Sequence, residues 1–448
     1  MMKHKKIDGQ LLQEALKENG IQVKPASGLA KPGKLVLTGE DGKAYAVGKN
    51  LEVARVQTEN PERTILKASV KDAAGEQVAQ IEKAVVVRTV GFETARANVV
   101  RQSEALEDVY KRQIICCGGG VVLAGAREEM IAFARNSGIP VTATMMGIGV
   151  MPMDSPYYLG MIGSHGRTSA NKAMSEADLV ILCGARVGDR AVAAPESLAE
   201  KAKIIHIDID PAEIGKNMTA HIPIVGDIRL VLSELASKVE NTVSQDWIDR
   251  VFGLKAKYPP RGEAREDCVE PRVFIRDLSA MMKEDAILTA DVGQNQIWAA
   301  RNFNVKEGRF LTSGGLGTMG YSVPAAIGAK IAKPHRQVVA VCGDGSFQMC
   351  MCELGTLIQN GVDIKIIIME NQRLGMVREF QDRLYGCRHI GTVLEHGNPD
   401  FVKLAESYGI EAARAENNAQ AKELAQHMLQ SNKAFILVCS VDPEIPSI

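Results

Sequence analysis

"VVAVCGDGSFQMCMCELGTLIQNGVDIKIIIMEN", residues 338–371, begins and ends on an apolar run. Val338–Cys342 has the length and content of a buried strand, and Ile364–Met369 reads as the next parallel strand. Phe347–Gln359 between them predicts the crossover helix. In open parallel sheets ligands bind beyond the carboxyl ends of the strands, and Asp344 and Asn371 fall on two such ends. One carboxylate, one amide oxygen and nearby carbonyls are hard oxygen ligands that suit Mg²⁺, which also keeps waters and phosphate oxygens in its shell. Gly343 and Gly345 let the backbone approach a phosphate closely. A helix starting near Ser346 would aim its free N–H groups at that phosphate. A tight turn with a solvated aspartate is the plainer reading of Gly-Asp-Gly by itself. The asparagine that closes the next strand reverses it, and the segment reads as a metal–diphosphate anchor.

The same alternation extends on both sides. "DAILTADVGQNQIW" and "AFILVCSVD" are further strand signals, and residues 272–448 read as one α/β domain. Upstream, "IICCGGGVVLAGAREEMIAFARNSGIPVTATMMG", "EADLVILCGARVGDR" and "AKIIHIDIDPAEIG" give residues 113–240 the same grammar. The expected fold class is therefore α/β, with two doubly wound parallel-sheet domains. Charge and Pro-Pro mark 241–271 as a linker. Residues 1–112 differ in texture. Short alternating runs such as "GKLVLTGEDGKAYAVG" predict a small β-rich segment with a hairpin turn at "EDG", behind a helix near residues 8–19.

Bulk properties exclude more than they assign. The 448 residues suggest two or three domains, and 53 basic against 54 acidic residues argue for neither a nucleic-acid partner nor an acidic tail. Nine cysteines occur without a C-x-x-C pair, which favours reduced thiols over zinc. No apolar run is long enough to span a membrane, and "MMKHKKIDGQ" lacks the apolar core of a secretory signal. A cytoplasmic location is the expectation.

Gly-Asp-Gly followed by the distant asparagine resembles the signature of the thiamine-diphosphate enzymes. "GGLGTMGYSVPAAIGAK" (314–330), "DVGQNQIWAA" (291–300) and "ENQRLGMVREFQDRLYG" (370–386) narrow the resemblance to the large catalytic subunit of the acetolactate synthases, from about residue 114 onward. The resemblance implies Mg²⁺ ligation by Asp344 and Asn371, with Arg373 supplying a backbone oxygen. It implies diphosphate contacts at Gln294, Asn295, Gly345, Ser346, Gly375 and Met376, and pyrimidine contacts at Gly317 and Met319. Met319 would also hold the cofactor bent. A lone methionine is more often core filler; its setting in GLGTMG favours the other role.

In the middle domain, a lone "CGGGVV" is weak support for a dinucleotide. With "TATMMG", "GMIGSHG", "GARVGDR", "HIDID" and "GDI" after it, the resemblance implies FAD contacts at Gly119, Thr144, Met145, His165, Gly184, Arg186, Asp208, Ile209 and Asp227. Phe380 matches a bulky position of the substrate channel. The implied reaction is decarboxylation of pyruvate and its joining to a second 2-keto acid, in branched-chain amino acid biosynthesis, with pyruvate oxidase, glyoxylate carboligase or a non-catalytic cofactor-binding protein as alternatives. A homo-oligomer and a small regulatory subunit are the implied partners.

Two departures qualify it. Glu370 replaces the first asparagine of the usual pair, placing a charge beside the metal. Residues 1–112 show no match to the pyrimidine-binding domain or its activating glutamate. "SEALEDVYKRQ" (103–113) resembles translated adapter sequence, which predicts an artificial join there, and the chain is expected to stop short of the usual closing tail after "VDPEIPSI".

Overall fold

The computed structural model describes residues 110–241 and 243–448 in full and, before them, the backbone of five strands. β1 (Leu35–Thr38) pairs antiparallel with β2 (Ala44–Val47). β3 (Leu51–Gln57), β4 (Thr64–Lys71) and β5 (Gln77–Val85) form an antiparallel three-stranded sheet. This agrees with the β-rich expectation for the segment. The expected helix at 8–19, the "EDG" turn and most of the 103–113 stretch lie outside the described residues.

The central domain is a six-stranded parallel sheet in the order β11-β10-β9-β6-β7-β8. Its strands are β6 (Gln113–Cys117), β7 (Val141–Ala143), β8 (Tyr158–Met161), β9 (Leu179–Cys183), β10 (Lys203–Asp208) and β11 (Ile222–Val225). Its helices are α1 (Gly119–Leu123), α2 (Arg127–Ser137), α3 (Thr168–Glu176), α4 (Pro195–Lys201), α5 (Ile228–Lys238) and α6 (Gln245–Lys257). β6 is buried on both faces because helices cover both: Ile115 and Cys117 join one apolar cluster, Ile114 and Cys116 the other.

Part of the expected linker 241–271 is helix α6. Ser244 caps it by accepting from the Trp247 amide. Trp247, Val251 and Leu254 recur at helical spacing and are buried in the cluster that also holds Ala170, Ala173 and Met174 of α3. The Trp247 indole donates to the Gln113 carbonyl at 2.9 Å. Charged residues on the outer face mask this narrow stripe in the sequence.

The C-terminal domain is a second six-stranded parallel sheet, in the order β13-β12-β14-β15-β17-β16. Its strands are β12 (Ile287–Ala290), β13 (Arg309–Thr312), β14 (Val338–Gly343), β15 (Lys365–Glu370), β16 (Glu411–Ala415) and β17 (Phe435–Ser440). Around it pack α7 (Pro271–Met281), α8 (Gln294–Asn302), α9 (Ser322–Ala332), α10 (Asp344–Gln348), α11 (Glu353–Gln359), α12 (Gly375–Leu384), α13 (Phe401–Ser407) and α14 (Asn418–Gln430).

The predicted crossover helix Phe347–Gln359 is two helices, α10 and α11. Phe347, Cys350, Leu354 and Leu357 all turn inward as a single helix would require. The bonding, however, tightens to three-residue spacing between them, with Glu353 donating to Cys350 and Leu354 to Met351. Cys350 and Cys352 are weak helix formers and do not hold the wider turn.

Candidate functional site

In both sheets the strand order reverses beside the first strand, between β6 and β9 and between β12 and β14. A crevice opens at such a reversal, outside the carboxyl ends of the strands. Asp291 and Gln294 follow β12, Asp344 follows β14, and Asn371 follows the neighbouring β15.

Asp344 is 1% exposed. Its Oδ2 accepts from the Gln372 amide at 2.6 Å and from Asn398 Nδ2 at 2.9 Å, and its Oδ1 from the Gly345 amide at 2.8 Å. Burial pushes its pKa up to about 6, against the lowering effect of those hydrogen bonds. None of the influences on it is a cation. A buried carboxylate held by neutral donors is short of positive charge, and a divalent cation fits that deficit. Asn371 stands beside it with its Nδ2 donating to Gln294 Oε1 at 2.8 Å and its Oδ1 accepting from the Arg373 amide at 3.2 Å. Between them Gln372 takes φ +55°, a left-handed conformation uncommon outside glycine. That turn lets its amide reach Asp344 while the next amide reaches Asn371.

The diphosphate candidates converge on the same place. A Cβ on Gly375 would sit 1.8 Å from Gln294 Oε1, so only glycine allows α12 to start this close to α8. A Cβ on Gly345 would sit 2.6 Å from Leu374 Cδ2, and one on Gly343 would sit 3.2 Å from Asn295 Oδ1. The Ser346 hydroxyl closes back on Gly343, accepting from its amide at 3.0 Å. Met376 lies in the first turn of α12, whose leading amides have no acceptor within the helix. The Arg373 Nη1 atom is buried without a partner, a donor suited to an anion.

Gly317 and Met319 lie on the loop between β13 and α9. Gly317 has φ +68° and is exposed, whereas Met319 is half-buried. Asp291 anchors the end of this loop: its carboxylate accepts from the Gly320 amide at 2.9 Å and the Ser322 amide at 2.7 Å. Asp291 is fully buried, and its place in the site follows from these bonds. Asn398, from a loop that carries no motif, is likewise visible only in the fold.

Glu370 is not a loose charge beside the metal position. It is 8% exposed and forms an ion pair with Arg414 of β16, whose Nη1 also lies 3.5 Å from Ser440 Oγ. A second network stands behind Gln294. Its Nε2 donates to Glu379 Oε1 at 3.0 Å and to the Ile445 carbonyl at 3.0 Å, and Ser447 donates through its amide and hydroxyl to Glu379 at 2.6 and 2.7 Å. Phe380, the channel candidate, is 40% exposed on α12.

In the central domain the glycines of "CGGG" turn out to serve the protein first. A Cβ on Gly118 would lie 2.1 Å from the Gly184 carbonyl oxygen, and one on Gly120 would lie 2.7 Å from Gly184 Cα. Close packing of two strand ends at the reversal thus accounts for these two glycines and for Gly184 at φ +57°. Gly119 is half-buried above Met146, and Thr144 and Met145 are half-buried next to it. Arg186 and Ile209 are exposed, and Asp208 ends β10 with its Oδ1 accepting from the Asp210 amide at 3.0 Å. Asp227 caps α5, accepting from the Arg229 amide at 2.8 Å. His165 is half-buried; burial lowers its pKa.

The two groups of residues adjoin. A Cβ on Gly314 would lie 2.6 Å from Met146 Sδ and 3.6 Å from Met145 Sδ, and one on Gly315 would lie 3.8 Å from Arg186 Nη2. Arg301 of α8 donates to the His165 and Gly166 carbonyls at 3.0 and 2.8 Å, while Arg167 donates to the Arg301 carbonyl at 2.5 Å. The edge of one sheet therefore faces the loop of the other.

Comparison with known proteins places both domains. Residues 105–235 match the central domain of the thiamine pyrophosphate enzymes, and residues 291–439 match their C-terminal TPP binding domain. The chain is 43% identical over 358 residues to the probable acetolactate synthase large subunit of Methanocaldococcus jannaschii, covering 77% of this chain and 60% of that protein. It is 42% identical over 356 residues to the acetolactate synthase large subunit of Corynebacterium glutamicum, covering 77% and 57%. With the acetolactate synthase isozyme 2 large subunit of Escherichia coli it shares 37% identity over 344 residues, covering 77% and 62%. The chain thus spans about 60% of the length of these relatives.

Proposed function

From a chain that carries the central and C-terminal domains of the thiamine pyrophosphate enzymes and is homologous to acetolactate synthase large subunits, we infer a part in acetolactate synthesis. The proposed reaction decarboxylates pyruvate and joins the two-carbon unit to a second 2-keto acid, in branched-chain amino acid biosynthesis. The observation that carries this reading is the junction of Asp344, Asn371 and Gln294 at the mouth of one crevice, on the elements that the TPP binding domain match covers.

Asp344, Asn371 and the Arg373 carbonyl would hold Mg²⁺. Gln294, Asn295, Gly345, Ser346, Gly375 and Met376 would hold the diphosphate, and Gly317 with Met319 the pyrimidine. When bound, thiamine diphosphate supplies the electron sink that the decarboxylation needs. This chain's residues supply position. Asp291 fixes the end of the loop that carries Met319, and Glu379 with Ser447 fixes Gln294. Gly119, Thr144, Met145, His165, Gly184, Arg186, Asp208, Ile209 and Asp227 form the proposed FAD contacts. Their adjacency to the Gly314–Gly315 turn supports this reading, because a group at that edge would also reach the C-terminal domain. Phe380 is proposed to line the channel for 2-keto acids.

Leu316 is 93% exposed, and Phe380, Leu384, Tyr385 and Ile390, on or just after α12, are each at least 40% exposed. This apolar surface supports assembly into a homo-oligomer that covers it. A small regulatory subunit and a cytoplasmic location complete the proposal; no helix among the described residues is long and apolar enough to cross a membrane.

Trp298, one of two tryptophans, lies one turn along α8 from Gln294 and serves as a reporter. Titration of the purified chain with thiamine diphosphate should quench its fluorescence only when Mg²⁺ is present, and Asp344→Ala should abolish the response. Incubation with pyruvate, both cofactors and FAD should then give acetolactate only at low turnover, because residues 1–112 show no match to the domain that carries the activating glutamate. Acetate with peroxide as the product would overturn the assignment in favour of an oxidase, and no binding at all would remove its basis.

A further inference from the structure

A cavity of about 530 Å³ lies between the central and C-terminal domains, on the outer side of β8. It is lined by β8, by α3 and α6 of the central domain, and by α7 and the segment after α8. None of its lining residues belongs to the thiamine or FAD positions discussed above. Its volume falls in the range of small-molecule sites, roughly 300–1,000 Å³.

Its charge is lopsided. Arg167, Lys255, Arg276 and Lys306 line it, against the single acid Asp154, which is exposed. Among the described residues, none of the four cations forms an ion pair. Arg167 donates to the Arg301 carbonyl, Lys255 to the Ser155 carbonyl at 3.1 Å, and Arg276 to the Arg261 carbonyl and Asn302 Oδ1 at 2.9 and 3.2 Å. These are neutral acceptors; the nearest acids, Glu270 and Asp277 for Arg276 and Asp154 for Lys255, act on the cations without a direct ion pair. Burial lowers the pKa of Arg167, Lys255 and Arg276; Arg276 disfavours charge on Arg167 and Arg167 does so on Lys255, while Glu270 and Asp277 favour it on Arg276 and Asp154 on Lys255. Holding like charges together out of water is costly unless something negative joins them. The rest of the wall sets Leu159, Tyr258, Pro260 and Ala280 beside the neutral polar side chains of Ser169, Ser279, Asn302 and Asn304.

We propose that this cavity is a binding site for a small organic anion: one oxyanion head set among Arg167, Lys255 and Arg276, and one hydrocarbon or aromatic body against Leu159 and Tyr258. Because the walls come from both domains, the ligand would bridge them. Loading would therefore stabilise their relative position.

The test is calorimetric titration of the full chain at low ionic strength with phenyl phosphate, 4-methylpentanoate and inorganic phosphate. Phenyl phosphate or 4-methylpentanoate should bind, and the stronger of the two identifies a phosphate or carboxylate head. Inorganic phosphate should bind at least tenfold more weakly, for want of a body. Lys255→Met and Arg276→Met should each weaken the organic probe at least tenfold. Lys306→Ala, a change at a half-buried side chain without a hydrogen-bond partner, should weaken it a few-fold while leaving the melting temperature in place. Three outcomes would each overturn the proposal: no binding by any probe, affinities that ignore all three substitutions, or inorganic phosphate binding as tightly as phenyl phosphate. Thermal melts separate loss of the site from loss of the fold. With the repulsion relieved, Lys255→Met should melt no lower than the parent chain.

Discussion

At the residue scale, the site depends on atoms that have no room to move. Gly375→Ala would drive its Cβ into Gln294 Oε1, and the amide bond to Asn371 would open with it. The expected result is a cost of about 1–3 kcal/mol in urea unfolding and at least a tenfold loss of thiamine diphosphate affinity by tryptophan quenching. Glu370 poses a different question, since a charge stands where the resemblance implies an asparagine. Arg414 answers it by pairing with the carboxylate on the neighbouring strand. Glu370→Ala should cost about 2 kcal/mol, because it leaves a partly buried guanidinium without its direct ion-pair partner. The double variant Glu370→Asn, Arg414→Met should recover more than half of that in the same unfolding assay. A simple sum of two losses would show that the pair is not coupled.

At the element scale, two segments carry more than their sequence advertises. The loop from Ser313 to Met319 is held at its far end by the carboxylate of Asp291, with the Thr289 hydroxyl donating to the Ser322 carbonyl beside it. Asp291→Ala leaves two backbone amides without their acceptor. It should cost about 2–3 kcal/mol, and hydrogen exchange at Gly320 and Ser322 should accelerate most. Helix α6 is the second case. Trp247 is 2% exposed and binds the end of β6 through its indole. Trp247→Ala should lower stability by about 3–5 kcal/mol, measured by chemical unfolding, and should expose the 259–270 segment to limited proteolysis. A change under 1 kcal/mol would return α6 to the status of a linker.

At the scale of the larger described unit, two similar but separate sheets meet through the loops at their carboxyl ends and helix α8. Arg301 and Arg167 cross between them with guanidinium-to-carbonyl bonds, and the Gly314–Gly315 turn meets Met145, Met146 and Arg186. Arg301→Met removes two charge-assisted bonds and should cost about 2–4 kcal/mol. Calorimetry should then resolve separate transitions for the central and C-terminal domains, where the parent chain gives one. A single unshifted transition would mean that the remaining contacts, among them Arg167 to the residue 301 carbonyl and the Met153 amide to Asn304, fasten the domains without it.

The sequence by itself determined the class of each domain and the sheet edge on which Asp344 and Asn371 stand. Apolar runs of strand length that end in glycine, acid or asparagine and alternate with helices can be buried only in a parallel sheet, and such a sheet puts Asp344 and Asn371 on one edge. Local pattern also carried Gly345 and Ser346 to that edge, whereas Gly375 and Gln294 came from the family resemblance. It could not see α6, whose three inward residues are hidden among charges, nor the break between α10 and α11, which keeps the inward spacing and changes only the bonding. Nor could it give the glycines of "CGGG" their first task, because Gly184, against which they pack, lies over sixty residues away. Tertiary structure alone decided which partners surround each functional group: Asn398 and Gln372 on Asp344, Arg414 on Glu370, and Glu379 and Ser447 behind Gln294. Those bonds join residues from distant parts of the chain. A periodic pattern records which face a residue presents and leaves open what the fold brings against it.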